Sequence, residues 1–155
     1  MKSPIELVVG TLRLAGGFDK PTYEVYDASA AASYMGQSIL NPPSVEGWQG
    51  GDEWITTGSI VQRVNYAAQI IGDTSRLGVC SIIQRIRNAT PLTPDGLVNI
   101  TLELIGPLSP PYESRQGLID FVSAQRDLIQ DDSNLPQQVS ALLQLIVATR
   151  EYQMA

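Results

Sequence analysis

A chain of 155 residues with 43% hydrophobic and 17% charged content is long enough to bury a substantial core, and it is globular rather than disordered in composition. A net charge of −6, a pI near 4.5 and lysine only at positions 2 and 20 exclude the clustered cations that nucleic acid or an anionic membrane surface needs. Histidine is absent, which removes Ser-His-Asp and Cys-His catalysis and every His-based metal site.

Met1-Lys-Ser-Pro opens almost directly on a helix, without a signal-peptide pattern. No apolar run approaches the roughly 20 residues that span a bilayer. Ser3-x-x-Glu6 is a capping box with Pro4 at the first helical position; Ile5, Val8, Val9 and Leu12 form one face, and Gly16-Gly17 supplies a left-handed stop. An alanine-rich helix is predicted from about Tyr23 to Gln37. The segment Asn41 to Ile55 then interrupts the helical pattern, and it holds both tryptophans.

Thr57 or Ser59 opens the next helix, with Ile60, Val64, Ala67 and Ile71 inward and Gly72 at its end. Another is predicted from about Ser75 to Asn88, carrying Val79, Ile82, Ile83 and Ile86, with Arg85 and Arg87 suiting the dipole of its last turn. Cys80 lies in the apolar run Leu77 to Ile83 and is expected to be a buried, unreactive thiol. Thr93-Pro94 repeats the cap-then-proline start, Leu97, Ile100, Thr101 and Leu104 form a face, and Gly106-Pro107 ends it. Ser109-Pro-Pro-Tyr112 leads into a helix with Leu118, Phe121, Val122 and Ile129 aligned. Asp131-Asp-Ser-Asn134 is a polar turn, and Pro136 opens a final helix with Val139, Leu142, Leu143 and Ile146 inward. The expected architecture is all-α: one domain over residues 1–155, a compact bundle of about seven short amphipathic helices with one long Pro/Gly/Trp loop.

The loop is the candidate site. Pro42 and Pro43 stiffen it, Gly47, Gly50 and Gly51 permit positive φ, and Trp48 and Trp54 offer large apolar faces. Such rings either stack on a sugar or a partner's side chain, or fold back as anchors. An anion-binding nest at Gly50-Gly51 is disfavoured by Asp52 and Glu53 beside it. Neither Asp52-Glu53 nor Asp131-Asp132 sets a catalytic carboxylate separation, and the latter lacks the spacing of a calcium loop. Asn88-Ala-Thr90 and Asn99-Ile-Thr101 match the glycosylation pattern, the second inside a predicted helix. Arg63, Arg85 and Arg87 are expected on solvated faces. No cofactor motif, no metal-ligand cluster and no nucleophile constellation is present, so the chain is not expected to be an enzyme.

The sequence Lys2-Ser-Pro-Ile-Glu-Leu-Val-Val-Gly10 is followed by Met35-Gly-Gln37, Asn41-Pro-Pro-x-Val-x-Gly-Trp48, Gly50-Gly51, Trp54-Ile55, Arg63-x-Asn65 and Leu142-Leu-x-Leu-Ile-x-x-x-x-Glu151-Tyr-Gln153. This series resembles the C-terminal part of the bacterial domain of unknown function 1800 family. The resemblance implies a bacterial protein roughly three times longer, of which this chain is the last third. Family members are often encoded beside another uncharacterised family that is similar to sulfatases. No catalytic residues come with the resemblance. Two functions are therefore weighed. The first is a non-catalytic helical interaction or structural module, whose partner is the upstream region of the same protein or another protein, and which leaves an apolar surface patch exposed. The second is a ligand-binding half-site on the 41–55 loop, for a carbohydrate or other polymer, using Trp48, Trp54, Asp52, Glu53, Arg63 and Asn65. Arg63 and Asn65 are expected to hydrogen-bond the loop's carbonyls.

Overall fold

A computed structural model describes residues 1–17, 23–48, 50–89, 93–106, 108–125 and 134–154. Among them the chain forms eight α-helices: α1 Pro4–Leu14, α2 Glu24–Tyr34, α3 Thr57–Gly72, α4 Leu77–Asn88, α5 Pro94–Ile105, α6 Tyr112–Ala124, α7 Leu135–Ala148 and α8 Arg150–Met154. A single 3-10 turn, Gly51–Trp54, stands between α2 and α3, and the described residues contain no strand beyond an isolated bridge from Ser44 to Gly47.

The helix ends are made locally. Ser3 and Glu6 close the predicted capping box on α1, with the Ser3 amide donating to Glu6 Oε2 at 2.7 Å. At the other end Gly16, at φ +85°, lets the Gly17 amide reach back to the Leu12 carbonyl at 2.7 Å. Helix α2 ends the same way: Gly36 sits at φ +100° and the Gln37 amide donates to the Ala32 carbonyl at 2.9 Å. That turn aims Gln37 Oε1 at the Ile5 amide (2.9 Å), one of the donors that the first turn of α1 leaves open. The cap of α3 is Thr56, in a reciprocal box with Ser59. Thr93 caps α5 as predicted, and Gly106 ends it at φ +145°. Pro107, Ile129 and Asp131 to Ser133 lie outside the described residues.

One buried cluster draws side chains from all eight helices. Its spine is α7 laid along α3, with α1 packed on the same helix. Helix α7 buries eight residues, among them Val139, Leu142, Leu143 and Ile146 as expected, each worth about 1.5–3 kcal/mol on removal from water. The Ser140 hydroxyl donates to the last carbonyl of α3, that of Gly72, at 3.0 Å.

Three expectations need correction. The final helix is two: Thr149, at ψ 152°, breaks it, and α8 turns Tyr152 and Gln153 back into the core. Helix α3 is rotated in its first half, so Ser59 and Arg63 are buried while Ile60 and Val64 are only half-buried. Cys80 is exposed, its thiol donating to the Thr74 carbonyl at 3.0 Å. Val79, Ile82, Ile83 and Ile86 take the inner stripe of α4, and Cys80 stands one residue, about 100°, around the helix from Val79.

Candidate functional site

The loop after α2 is built of short turns. The Ser44 carbonyl accepts from the Gly47 amide (3.1 Å), with Gly47 at φ +93°, and the turn leaves Val45 fully exposed. Leu40, at φ +66°, is a non-glycine residue in the left-handed region and is 92% exposed. Pro42, Pro43 and Gly50 are also at the surface, and Gly51 (φ +72°) starts the 3-10 turn. Ser59 fastens the loop's end, donating to the Trp54 carbonyl at 2.7 Å and accepting from the Thr56 amide at 2.8 Å.

Both tryptophans are half-buried, so neither free stacking platforms nor full internal anchors describe them. Trp54 lines a groove, an open space of about 430 Å³ walled by Tyr34 of α2, Glu53 and Gln62 of α3. Tyr34 also lines a second groove of about 430 Å³ between α2 and α3, where Asp27, Tyr66 and Gln69 face it. Tyr34 is thus a wall of both grooves. In the second the Arg76 guanidinium is held by Glu24 at 2.8 Å and by Asp73 at 3.5 Å. Burial pushes the Tyr66 hydroxyl up to about 12. Two hydrogen bonds from Ser75 keep the Asp73 carboxyl below its ordinary range.

Arg63 is not part of this site. It is 0% exposed, and its donors go to the chain ends: Nη2 to the Lys2 carbonyl (2.8 Å) and the Gln153 carbonyl (3.2 Å), Nε to Gln153 Oε1 (3.1 Å). The expectation that it bonds the loop's carbonyls fails because its side chain turns inward to Lys2 and Gln153; the Trp54 carbonyl accepts from Ser59 instead. Asn65 is exposed and is not in the groove's wall. Around Arg63 the ends are clasped together. Lys2 Nζ donates to the Tyr152 carbonyl at 2.8 Å and lies 3.9 Å from the centroid of its ring. Tyr152 Oη and Thr11 Oγ1 share a buried hydrogen bond of 2.9 Å, and Gln153 Nε2 donates to the Val147 carbonyl at 2.8 Å. Burial and the neighbouring Arg63 charge hold the Lys2 ammonium below its ordinary value, and burial lowers Arg63. Arg63 Nη1 is buried without a protein acceptor.

The face of α2 went unremarked in the sequence. It is inside out: its buried residues are Ala28 and Ala32, while Tyr23 is 94%, Tyr26 77% and Tyr34 79% exposed. Val25, half-exposed, completes an apolar surface hollow with Tyr23 and Tyr26. The signal was available, since Tyr23, Tyr26 and Tyr34 recur at i, i+3 and i+11 opposite two alanines four apart. Among the described residues no group of three acidic or thiol side chains converges as a metal site requires, and no helix is long and apolar enough to cross a membrane.

A family model described as "Protein of unknown function (DUF1800)" matches residues 1–154. No curated protein and no solved structure matches the chain.

Proposed function

The chain belongs to the DUF1800 family, and we propose that within it this all-helical unit is a non-catalytic interaction module that docks through the outer face of α2 and the loop after it. One observation carries the reading: α2 turns alanine to the core and tyrosine to the surface. Isolated exposed apolar residues are ordinary, but a run of them on one element is what an interface leaves when its partner is absent. Tyr23, Val25, Tyr26 and Tyr34 are those residues, and Leu40 and Val45 of the loop that follows are exposed as well. Tyrosine is also the side chain an interface favours, offering large contact area at little rotamer cost. The partner in this reading is the upstream region expected in a longer family member.

Isothermal titration of the 155-residue chain with the separately produced upstream region tests this. Saturable binding is expected, weakened about tenfold or more by Tyr26→Glu combined with Tyr34→Glu. Absence of binding, or binding indifferent to both substitutions, overturns it.

A second reading, a carbohydrate half-site, is favoured by Trp54 and Tyr34 sharing one groove with Gln62 and Glu53. It has lost Arg63 and Asn65 as contributors. A neutral oligosaccharide that shifts the tryptophan emission saturably would support it.

A further inference from the structure

We infer that the groove between Tyr34 and Trp54 receives a cationic segment of the docking partner, an arginine- or lysine-bearing peptide rather than a neutral or acidic one; this rests on the docking reading and gives the partner its chemistry. The argument is charge complementarity. From position 21 to position 62 the chain has five acidic residues, Glu24, Asp27, Glu46, Asp52 and Glu53, and not one lysine or arginine. That stretch is the one that builds α2 and the loop, and it holds Tyr23, Tyr26, Tyr34, Trp48 and Trp54, five of the chain's eight Tyr and Trp residues. Arg63 is buried against the chain ends, and Arg76, which lines the groove between α2 and α3, is already held by Glu24 and Asp73.

The side chains are placed for such an occupant. Glu53 and Asp27 are exposed, one beside Trp54 in sequence and the other on α2; each lines one of the two grooves, and Tyr34 lines both. A guanidinium over an aromatic face, next to a carboxylate, gains from ring quadrupole and charge together. The floor leaves room for a backbone to come close. A Cβ built on Gly36 or Gly58, both lining the Trp54 groove, would meet no atom within 4 Å. Gly58 is the more telling, because a glycine in the first turn of α3 weakens the helix and no packing requirement explains it. A second copy of this chain fits poorly, since two such faces would appose like charges.

The test titrates the whole 155-residue chain with a short peptide alternating arginine and leucine, reading Trp54 emission in a Trp48→Phe background. The indole N–H resonances of the unsubstituted chain serve as a second reading if that variant folds poorly. Controls are the same peptide with citrulline for arginine, its glutamate counterpart and a neutral oligosaccharide. Saturable binding of the arginine peptide is expected, weakened about tenfold or more by citrulline, by Glu53→Gln with Asp27→Asn, and by Tyr34→Ala. Raising salt from about 0.05 M to 0.5 M should weaken it as well. Glu113→Gln, an exposed acid on α6, should leave it unchanged. Equal binding of the citrulline peptide, preference for the oligosaccharide, or an equal loss with Glu113→Gln would each overturn the inference. A silent groove on a chain that still binds the upstream region overturns the cationic occupant alone. Silence in both experiments overturns the docking reading with it.

Discussion

Helices α2 and α7 are of similar length, eleven and fourteen residues, and use it in opposite ways. Helix α7 buries leucine, isoleucine and valine along α3, whereas α2 buries two alanines and exposes its tyrosines. Apolar area removed from water sets the stabilisation, at about 25 cal/mol per Å², so α7 supplies far more of it than α2. What holds α2 in place is mostly directional: the Gly36 turn, the Gln37 bond to α1 and the Glu24–Arg76 ion pair. Under the proposed docking role, stability and recognition fall to different helices, and a surface that contributes little to folding is free to be shaped by a partner.

Substitutions can break or sharpen that contrast. The largest effect should come from Arg63→Ala on the α7 side. It leaves the Lys2 and Gln153 carbonyls without their buried donor and opens a cavity, and a loss of about 3–5 kcal/mol is expected by chemical denaturation. A loss under about 1 kcal/mol would mean water replaces the guanidinium freely and the clasp is incidental.

Next is Gly78→Ala. The start of α4 crosses the end of α1 backbone against backbone, with the Gly78 amide donating to the Ala15 carbonyl at 3.0 Å. An added Cβ would collide with Leu14 to Gly16. The backbone must shift, costing about 1–3 kcal/mol, while Gly117→Ala, which meets nothing, should stabilise α6 by about 0.5–1 kcal/mol. Urea midpoints of the two variants should therefore move in opposite directions.

Tyr66, at the seam between the two regions, provides a pH signature. Its hydroxyl ionises at 10.0 when exposed and at about 12 in the fold. The folded state therefore prefers the neutral form, and that contribution is complete below pH 10 and lost as pH rises towards about 12. Between those values the unsubstituted chain should lose stability relative to Tyr66→Phe, measured as paired denaturation curves. Parallel curves would place Tyr66 in an environment as wet as the unfolded chain. The smallest effect is expected from Tyr26→Ser, within about 0.5 kcal/mol by thermal melting, since the ring buries little in the chain alone. A larger loss would show that the outer face of α2 contributes to folding after all.

Helix number and ends were largely legible in the sequence because their causes are local. The Ser3–Glu6 box, the Gly16 stop and the Thr93 cap each act within three to five residues, and the expected all-α architecture follows from them. The loop from Asn41 to Ile55 was legible as a loop, and Trp54 and Glu53 do line a groove. Its partner in that groove, Tyr34, was not legible, because the groove exists only once the end of α2, the loop and α3 have come together. The exposed tyrosines of α2 did follow a local pattern, Tyr23, Tyr26 and Tyr34 opposite Ala28 and Ala32, but which side of that pattern faces the core is decided by what packs behind the helix.

By itself the sequence determined an acidic, all-helical chain, the caps of α1 and α5, the core faces of α4 and α7, and membership of one family. Only the tertiary structure decided which charge lies inside. Arg63 is joined to partners 61 and 90 positions away, and nothing within a turn of it distinguishes a surface arginine from one whose donors meet the carbonyls of both chain ends. The same holds for Cys80, turned outward beside an apolar stripe, and for the α2 tyrosines, whose meaning depends on what packs behind them. Capping spends hydrogen bonds between near neighbours, whereas burial depends on which distant elements arrive, and that is set when all eight helices close on one core.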